Sequence, residues 1–306
     1  MTDRSRLIPK ADLWALRSAL DDLPLDVRRS VIAKRLRRAL EGSPSLTGAT
    51  ASLALPRWAS DLVGGIGDER CRELQAIQLL LLMGGLIQDS VADGASLGFL
   101  TAWDSIPLFE KARARLGRIF PADDPFWRGY TRVLGQQIAS ARWELRWRGR
   151  QPPFDAALLR RLGRKAALMR WPAYAVASLK HKPALGPRLD RLFERLFSVL
   201  QVLDDFTDEQ EDAEAGRINA LVSATGKSSS QQPSGQAKRA RAAKAAARLA
   251  RKEVQMLARL VPPSSSLAAC CKELQGWCDE MEKRVVEDAR IRILDHVLNR
   301  LLQVPT

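Results

Sequence analysis

Apolar residues recur at intervals of three and four positions along most of the chain, and no segment alternates strictly between apolar and polar residues. Intervals of three and four place side chains on one face of an α-helix, whereas a half-buried strand would need a period of two. The pattern therefore predicts an all-α fold. The predicted helices cover approximately residues 11–41, 51–64, 68–93, 107–118, 125–149, 155–180, 187–213, 236–260, 266–282 and 284–303.

Segments rich in proline, glycine and serine separate these helices, for example PADDP at 121–125 and VPPSSS at 261–266. Such residues favour turns, and proline lacks the N–H group that a helix interior needs. The segment 226–235 (GKSSSQQPSG) has no large apolar side chain for a core, so we predict a flexible loop there. No fixed-period repeat is present, and we predict a single helical domain over 1–306.

The chain has 306 residues, of which 46% are hydrophobic, and a net charge of +14. This length suffices for a large core, and the charge indicates an anionic partner: nucleic acid, a membrane surface or a phosphorylated substrate. Because no nucleic-acid-reading motif is recognisable, we expect no nucleic acid partner. Peripheral contact with an anionic membrane stays open, since the basic helix predicted at 236–260 could supply it.

Cysteine and histidine give little support to a metal site or a His-based triad. The four cysteines lack metal-ligand spacing, and His181 and His296 lie far from them in sequence. The first fourteen residues carry charges and no apolar core of a signal peptide. The apolar stretch 76–87 is shorter than the ~20 residues that span a bilayer, so we predict a buried helix and a cytoplasmic protein.

A row of carboxylates follows an apolar helix in LFSVLQVLDDFTDEQEDAEAG. Gln201, Asp204, Asp205, Asp208 and Asp212 have helical spacing, which predicts one shared face. Clustered, partly buried carboxylates repel each other and therefore need counter-ions. Magnesium meets this need, because it prefers carboxylate oxygens together with water and phosphate oxygens. The alternative is an acidic surface helix paired with the many arginines of the chain.

A second carboxylate pair, Asp89 and Asp93, ends the apolar helix LLLLMGGLIQDSVADG. The spacing of four places both side chains on one helix face. One turn upstream, Gly84 and Gly85 leave space for a bulky ligand. An exposed helix end would account for the pair alone, but together with the acidic helix it predicts the opposite wall of a cavity.

These residues resemble a known family. Gln201–Asp208, QVLDDFTD, is similar to the second aspartate-rich motif of trans-polyprenyl diphosphate synthases, Q-x-x-D-D-x-x-D. Arg164–Leu168 (RKAAL) resembles their K-T-A-x-L segment, Gly135 and Gln136 resemble their G-Q helix, and residues 87–93 occupy the place of their first aspartate-rich motif. The resemblance spans about residues 70–220.

The resemblance implies an isoprenoid synthase fold, that is, one large helical bundle with a central active-site cavity, often in a homodimer. It implies up to three Mg²⁺ ions and a prenyl diphosphate substrate. The implied metal ligands are Asp89, Asp93, Asp204, Asp205 and Asp208. The implied substrate-binding residues are Arg164, Lys165, Gln201 and Arg217, of which Lys165 and Gln201 also serve catalysis.

Departures from the family pattern favour one substrate over two. Gln88 stands where the first motif has its leading aspartate, and residues 94–106 lack the paired arginines of chain-elongating members. The N-terminal G-K-x-x-R-P segment that helps to bind isopentenyl diphosphate is also missing. We therefore expect a class I terpene synthase that ionises one allylic prenyl diphosphate of roughly ten to twenty carbons in a water-excluding cavity.

Other interpretations stay open. The segment 208–217 (DEQEDAEAGR) also resembles the D-x-x-E-D-A-x-x-G-R signature of squalene and phytoene synthases, and Asp89 and Asp93 fit their D-x-x-x-D motif. A polyprenyl diphosphate synthase is a further alternative. A non-catalytic partner subunit that kept the fold would explain the missing leading aspartate. Asn219 and Ser223 match part of a terpene synthase metal motif, but Lys227 replaces its acid, so we assign them no site.

Overall fold

The computed structural model describes residues 10–30, 33–34, 48–92, 101–225, 233–263 and 265–283. All regular secondary structure in these residues is helical, which confirms the all-α prediction. The α-helices are α1 (Lys10–Asp21), α2 (Leu25–Arg29), α3 (Gly48–Leu62), α4 (Asp68–Ala92), α5 (Ile106–Ile119), α6 (Phe126–Trp147), α7 (Ala156–Gly163), α8 (Pro172–Leu179), α9 (Gly186–Thr207), α10 (Glu209–Ala215), α11 (Ala220–Thr225), α12 (Pro233–Leu260) and α13 (266–283). Short 3₁₀ helices cover Ala102–Ser105, Ala167–Arg170 and Pro183–Leu185.

Three helices that periodicity predicted as continuous are divided in the structure. The first is interrupted at Pro24, and the helix expected over 155–180 restarts at Pro172, because proline lacks an N–H donor. The helix expected over 187–213 breaks at Asp208, whose φ of −104° and ψ of 11° leave helical geometry. Conversely, α12 begins at Pro233, so residues 233–235 of the predicted loop are helical, and proline suits a first helical position. Residues 226–232 and the helix predicted over 284–303 lie outside the described residues.

The chain divides into two compact units, each assembled from three segments. The first unit comprises the described residues within 1–137, 166–193 and 261–270, and the second those within 138–165, 194–260 and 271–306. The prediction of a single domain over 1–306 stays a prediction.

In the first unit, α4 lies against α1, α3 and α5. Its buried residues include Leu79, Leu81 and Met83, so the predicted burial of this apolar stretch is confirmed. Judged by length and composition alone, α4 is also long and apolar enough to span a membrane, a test that core helices of soluble proteins also pass. Inside the structure, 61% of its most apolar window is buried.

Two arginine networks satisfy charges in this unit. The Arg57 guanidinium contacts both carboxylate oxygens of Asp12, at 2.9 and 3.0 Å. The Arg170 side chain is fully buried and lies 3.2 Å from an Asp190 carboxylate oxygen, while the Tyr174 hydroxyl donates to that same carboxylate. Buried charges need such partners, since an unpaired one would cost several kcal/mol.

The second unit has its own apolar core. Leu158 and Leu162 of α7 pack with Ile218 and Ala220, and Trp143 and two further aromatic side chains cover them. In the same unit, α12 contacts α11, the helix before it in the chain. It buries a row of small side chains, namely Ala242, Ala243, Ala246, Ala247 and Ala250. Alanine has the highest helix propensity and allows close packing, so this row explains both the helix and its burial.

Candidate functional site

The C-terminal end of α9 turns its three aspartates in different directions. Asp205 is 1% exposed, Asp208 is partly exposed and Asp204 is exposed. Val199, Val202 and Leu203 are buried, which fixes the rotation of the helix about its axis. The three carboxylates therefore do not share one face as their spacing predicted: Asp205 points into the protein, 100° around the helix from Asp204.

Both carboxylate oxygens of Asp205 accept hydrogen bonds from the protein. The Gln201 side-chain amide donates to Oδ1 at 2.9 Å, and the backbone N–H of Ala220 donates to Oδ2 at 2.7 Å. Burial raises the pKa of Asp205 to about 7. The two hydrogen bonds and the nearby Lys165 ammonium oppose this shift, while the negative charge of Asp212 adds to it.

Asn219 ties three helices of this unit together. Its side-chain amide donates to the backbone carbonyl of Asp205 at 2.7 Å and to Oδ2 of Asp212 at 2.9 Å. Its Oδ1 accepts from the N–H groups of Leu221 and Val222, which makes it the N-cap of α11. Because Asn219 is fully buried, its hydrogen bonds hold α11 against the end of α9.

Gln151, in the connection before α7, forms hydrogen bonds with the turn that joins α10 to α11. Its side-chain amide donates to the carbonyl of Arg217 at 2.7 Å. Its Oε1 accepts from the N–H of Asn219 and from the Ser223 hydroxyl. The turn after α10 is thus held by side chains on both sides.

One arginine forms ion pairs with the acidic segment that follows Asp208. Arg217 contacts Asp212 at 2.7 Å and Glu211 at 2.6 Å, and Gly216 reverses the chain with a φ of +65°. Positive φ is a conformation that glycine adopts at little cost. Burial and the charges of Asp212 and Glu211 raise the pKa of Asp208, whereas Arg217 lowers it.

The predicted diphosphate-binding cations already have carboxylate partners. The Lys165 ammonium lies 2.6 Å from Glu144, and Arg164 lies 2.8 Å from Glu194. Close packing of α7 against α9 positions both cations, because a Cβ on Gly163 would lie 2.7 Å from the Glu194 carbonyl oxygen. Lys165 is partly exposed and electrostatically coupled to Asp205, so it belongs to the same site.

The first aspartate-rich motif belongs to the first unit. Asp89 is exposed near the end of α4, and the side-chain amide of its neighbour Gln88 donates to the Ser105 hydroxyl at 3.1 Å. Asp93 lies outside the described residues. The predicted function of Asp89 and Asp93 as the opposite wall of a cavity therefore stays a prediction.

The acidic end of α9 offers a metal ion two carboxylates and no preformed cage. No group of three or more His, Cys, Asp or Glu side chains suited to a metal occurs in the part of the chain that the structure describes. Asp204 and Asp208 are one helical turn apart and both reach solvent. This pair fits Mg²⁺, which often takes one or two protein carboxylates and completes its shell with water and substrate phosphate.

Sequence reasoning missed two residues of this site, Gln151 and Glu144, and it assigned no site to Asn219. Asn219 could have been found as an N-cap, since asparagine directly precedes the apolar helix ALV at 220–222. The partners of Gln151 and Glu144 lie 66 and 21 positions away in sequence, and no local pattern announces them. No protein-family model, curated protein or solved structure matches the chain.

Proposed function

We propose that the protein is a magnesium-dependent terpene synthase that ionises one allylic prenyl diphosphate, of roughly ten to twenty carbons, to a cyclic or linear terpene and releases diphosphate. One observation carries the proposal. Asp205 is fixed inside the protein by Gln201 and Ala220, and this anchor leaves Asp204 and Asp208 accessible one turn apart at the end of α9. The residues that the family resemblance singles out thus include a pair suited to Mg²⁺.

In this proposal, Asp204 and Asp208 would hold the metal. Asp205, which the resemblance also implies as a ligand, would instead hold the helix end that presents them, because both of its oxygens accept hydrogen bonds from the protein. When bound, Mg²⁺ would neutralise negative charge on the departing diphosphate. Gln201 lies 3.5 Å from Asp204 and 2.9 Å from Asp205, so its amide fixes the orientation of both carboxylates. The family resemblance also implies Asp89 and Asp93 as metal ligands.

Lys165 is the cation best suited to bind the diphosphate. It is partly exposed, and its ammonium lies 2.6 Å from Glu144. A diphosphate carries more negative charge than a carboxylate, so it would displace Glu144 from Lys165. Arg217 is instead clamped by Asp212 and Glu211, and Arg164 is paired with Glu194. These two arginines would shape the site and contribute positive charge from its edge.

A second function, head-to-head prenyl transfer of the squalene or phytoene type, is favoured by the turn after α10. The signature residues Asp212, Gly216 and Arg217 form one connected turn, in which Arg217 pairs with Asp212 and Gly216 provides the positive φ. Their spacing in the sequence thus has a structural reason. The same assay separates this function from the first by the product.

The test is incubation of the full chain and Mg²⁺ with geranyl, farnesyl and geranylgeranyl diphosphates, each with and without isopentenyl diphosphate, followed by mass spectrometry of the products. A hydrocarbon or alcohol formed from a single substrate supports the terpene synthase. A longer linear diphosphate would instead identify a polyprenyl diphosphate synthase, and a head-to-head product a squalene or phytoene type enzyme. No turnover, together with a melting temperature unchanged by Mg²⁺ and diphosphate, would leave the partner-subunit alternative.

Two substitutions test the metal ligands. Asp204→Asn and Asp208→Asn should each lower kcat/KM by at least about a thousandfold, because each removes a charge on which metal binding depends. Their far-UV circular dichroism should match that of the wild type, since both side chains reach solvent. Glu214→Gln is the matched control: it removes one negative charge from the same acidic segment at an exposed position and should retain activity. Full activity of Asp204→Asn would contradict the proposed ligand role.

The proposed enzyme is cytoplasmic and, as is often the case in the family that the chain resembles, a homodimer. Light scattering on the purified full chain measures its mass in solution directly. A monomer that is fully active would contradict this part of the proposal and leave the metal site untouched.

A further inference from the structure

Four cations form a straight stripe on the exposed side of α12. Arg241, Arg248, Lys252 and Arg259 are all exposed. In a helix with 100° per residue, Lys252 and Arg248 lie within about 20° of Arg241, and Arg259 returns to the same angle after five turns. The stripe is about 27 Å long, from the rise of 1.5 Å per residue.

Most of this charge has no acidic partner among the residues that the structure describes. Two other cations of α12 have close acidic partners: Arg239 pairs with Glu209, and Arg251 pairs with Asp279 and Glu282. Lys244 lies 3.8 Å from Glu282. In contrast, Arg241, Lys252 and Arg259 have no ion pair with any residue that the structure describes. Arg248 has only a 3.8 Å contact with Glu282.

Apolar side chains border the stripe on one side. Met256 is 37% exposed and Leu260 is 64% exposed. Their helical angles place them about 60° and 100° from the line of Arg241 and Arg259. The exposed side of α12 is therefore amphipathic in its own right, with a basic centre and an apolar margin near its C-terminal end.

We propose that this stripe docks the protein on an anionic lipid bilayer. A single diphosphate could contact only a small part of a line 27 Å long, whereas a bilayer surface offers headgroups along its whole length. A nucleic acid backbone would satisfy the charges but not Met256 and Leu260, which the headgroup boundary of a bilayer accepts. The stripe also carries no aromatic residue on which a base could stack. This inference is independent of the reaction proposed for the α9 site.

The experiment is co-sedimentation of the full chain with vesicles of phosphatidylcholine alone and of phosphatidylcholine mixed with phosphatidylglycerol. We expect binding to the mixed vesicles only, and we expect it to weaken steeply with salt because exposed charges are screened. Absence of binding to the mixed vesicles at low salt would overturn the proposal.

The variant Arg241→Gln/Lys252→Gln/Arg259→Gln should bind mixed vesicles on the order of a hundredfold more weakly, because each basic side chain near an anionic surface contributes about a factor of five. The matched control is Lys111→Gln/Arg113→Gln/Arg118→Gln on α5. These three cations are also exposed, but Arg113 lies on the opposite side of the helix from the other two. The control changes net charge equally and should bind like the wild type. Equal losses in both variants would show an effect of total charge and overturn a specific stripe.

Two further measurements complete the test. Circular dichroism of the stripe variant should be unchanged, since glutamine retains helix propensity and the three positions are exposed. Met256→Gln/Leu260→Gln should weaken vesicle binding severalfold and leave its salt dependence unchanged, because it removes apolar area and no charge. Salt-dependent binding of duplex DNA that the stripe variant loses, without vesicle binding by the wild type, would assign the stripe to nucleic acid and overturn the bilayer.

Discussion

The C-terminal ends of α4 and α9 both carry carboxylates after a long apolar helix, yet they are built differently. At the end of α9, Asp205 is buried and hydrogen-bonded, and Asn219 and Gln151 clasp the chain that follows. At the end of α4, Asp89 is exposed, and the neighbouring Gln88 contacts Ser105. An apolar helix that runs into acids can therefore carry either a buried, hydrogen-bonded carboxylate or an exposed one near its end. For Asp205, the donors include the backbone N–H of Ala220, which follows later in the chain.

The largest expected effect comes from removing the hydrogen bonds that Asn219 makes at the end of α9. Asn219→Ala should lower the free energy of unfolding by about 2–4 kcal/mol, because buried N–H and carboxylate groups of several helices lose their partners. Urea unfolding measures this loss, and hydrogen exchange over 204–225 should rise. Gln210→Ala, which removes an exposed amide, is the control and should change stability by less than about 0.5 kcal/mol. An unchanged unfolding midpoint for Asn219→Ala would contradict the stabilising role of the Asn219 hydrogen bonds.

The second prediction concerns the protonation of Asp205. Its pKa in the folded protein is raised to about 7 from the ordinary value of 3.8, so the stability that Asp205 contributes is fully present below pH 3.8 and is lost as the pH rises through 7. Asp205→Asn cannot titrate. At pH 5, Asp205→Asn should lower the free energy of unfolding by about 1–2 kcal/mol, because its amide nitrogen replaces one of the two acceptor oxygens. This difference from the wild type should shrink toward pH 8.

Urea unfolding at several pH values, in a chelating buffer that removes metal ions, measures the difference between wild type and Asp205→Asn. The control is Glu214→Gln, which removes a carboxylate from an exposed position of the same acidic segment. A difference that widens with pH would mean that the hydrogen bonds from Ala220 and Gln201 outweigh burial and lower the pKa of Asp205.

The sequence predicted much of this fold and less of the site. Periodicity found the helical class and the burial of α4, because both follow from which residues are apolar. It did not predict that Asp205 points into the protein, because helical spacing alone does not say which of two adjacent aspartates is buried. The backbone donor to Oδ2 of Asp205 belongs to Ala220, which follows fifteen residues later. It also missed the break at Asp208, because backbone dihedrals there depend on the turn that Arg217 closes.

A smaller effect is expected at the end of α4. The Ser105 hydroxyl accepts from Gln88 and donates to the carbonyl of Ala102, so Ser105→Ala removes both bonds. Gln88 is exposed and can bond to water instead, and we expect a loss of only about 0.5–1.5 kcal/mol. Thermal unfolding measures it. A loss as large as that of Asn219→Ala would erase the difference between the two helix ends.

The smallest effect, of opposite sign, is expected one turn before Asp89. Nothing lies within 4 Å of a Cβ built on Gly85, so Gly85→Ala should stabilise α4 by about 0.5–1 kcal/mol. Gly84→Ala is the matched comparison, because its Cβ would lie 2.9 Å from the Phe109 ring, which must move and offset the gain. Melting temperatures rank the two variants, and equal destabilisation by both would contradict the open space at Gly85.

If that space receives a prenyl chain, Gly85→Ala should raise the melting temperature while lowering kcat/KM. A change in stability alone would mean that Gly85 leaves room for no ligand.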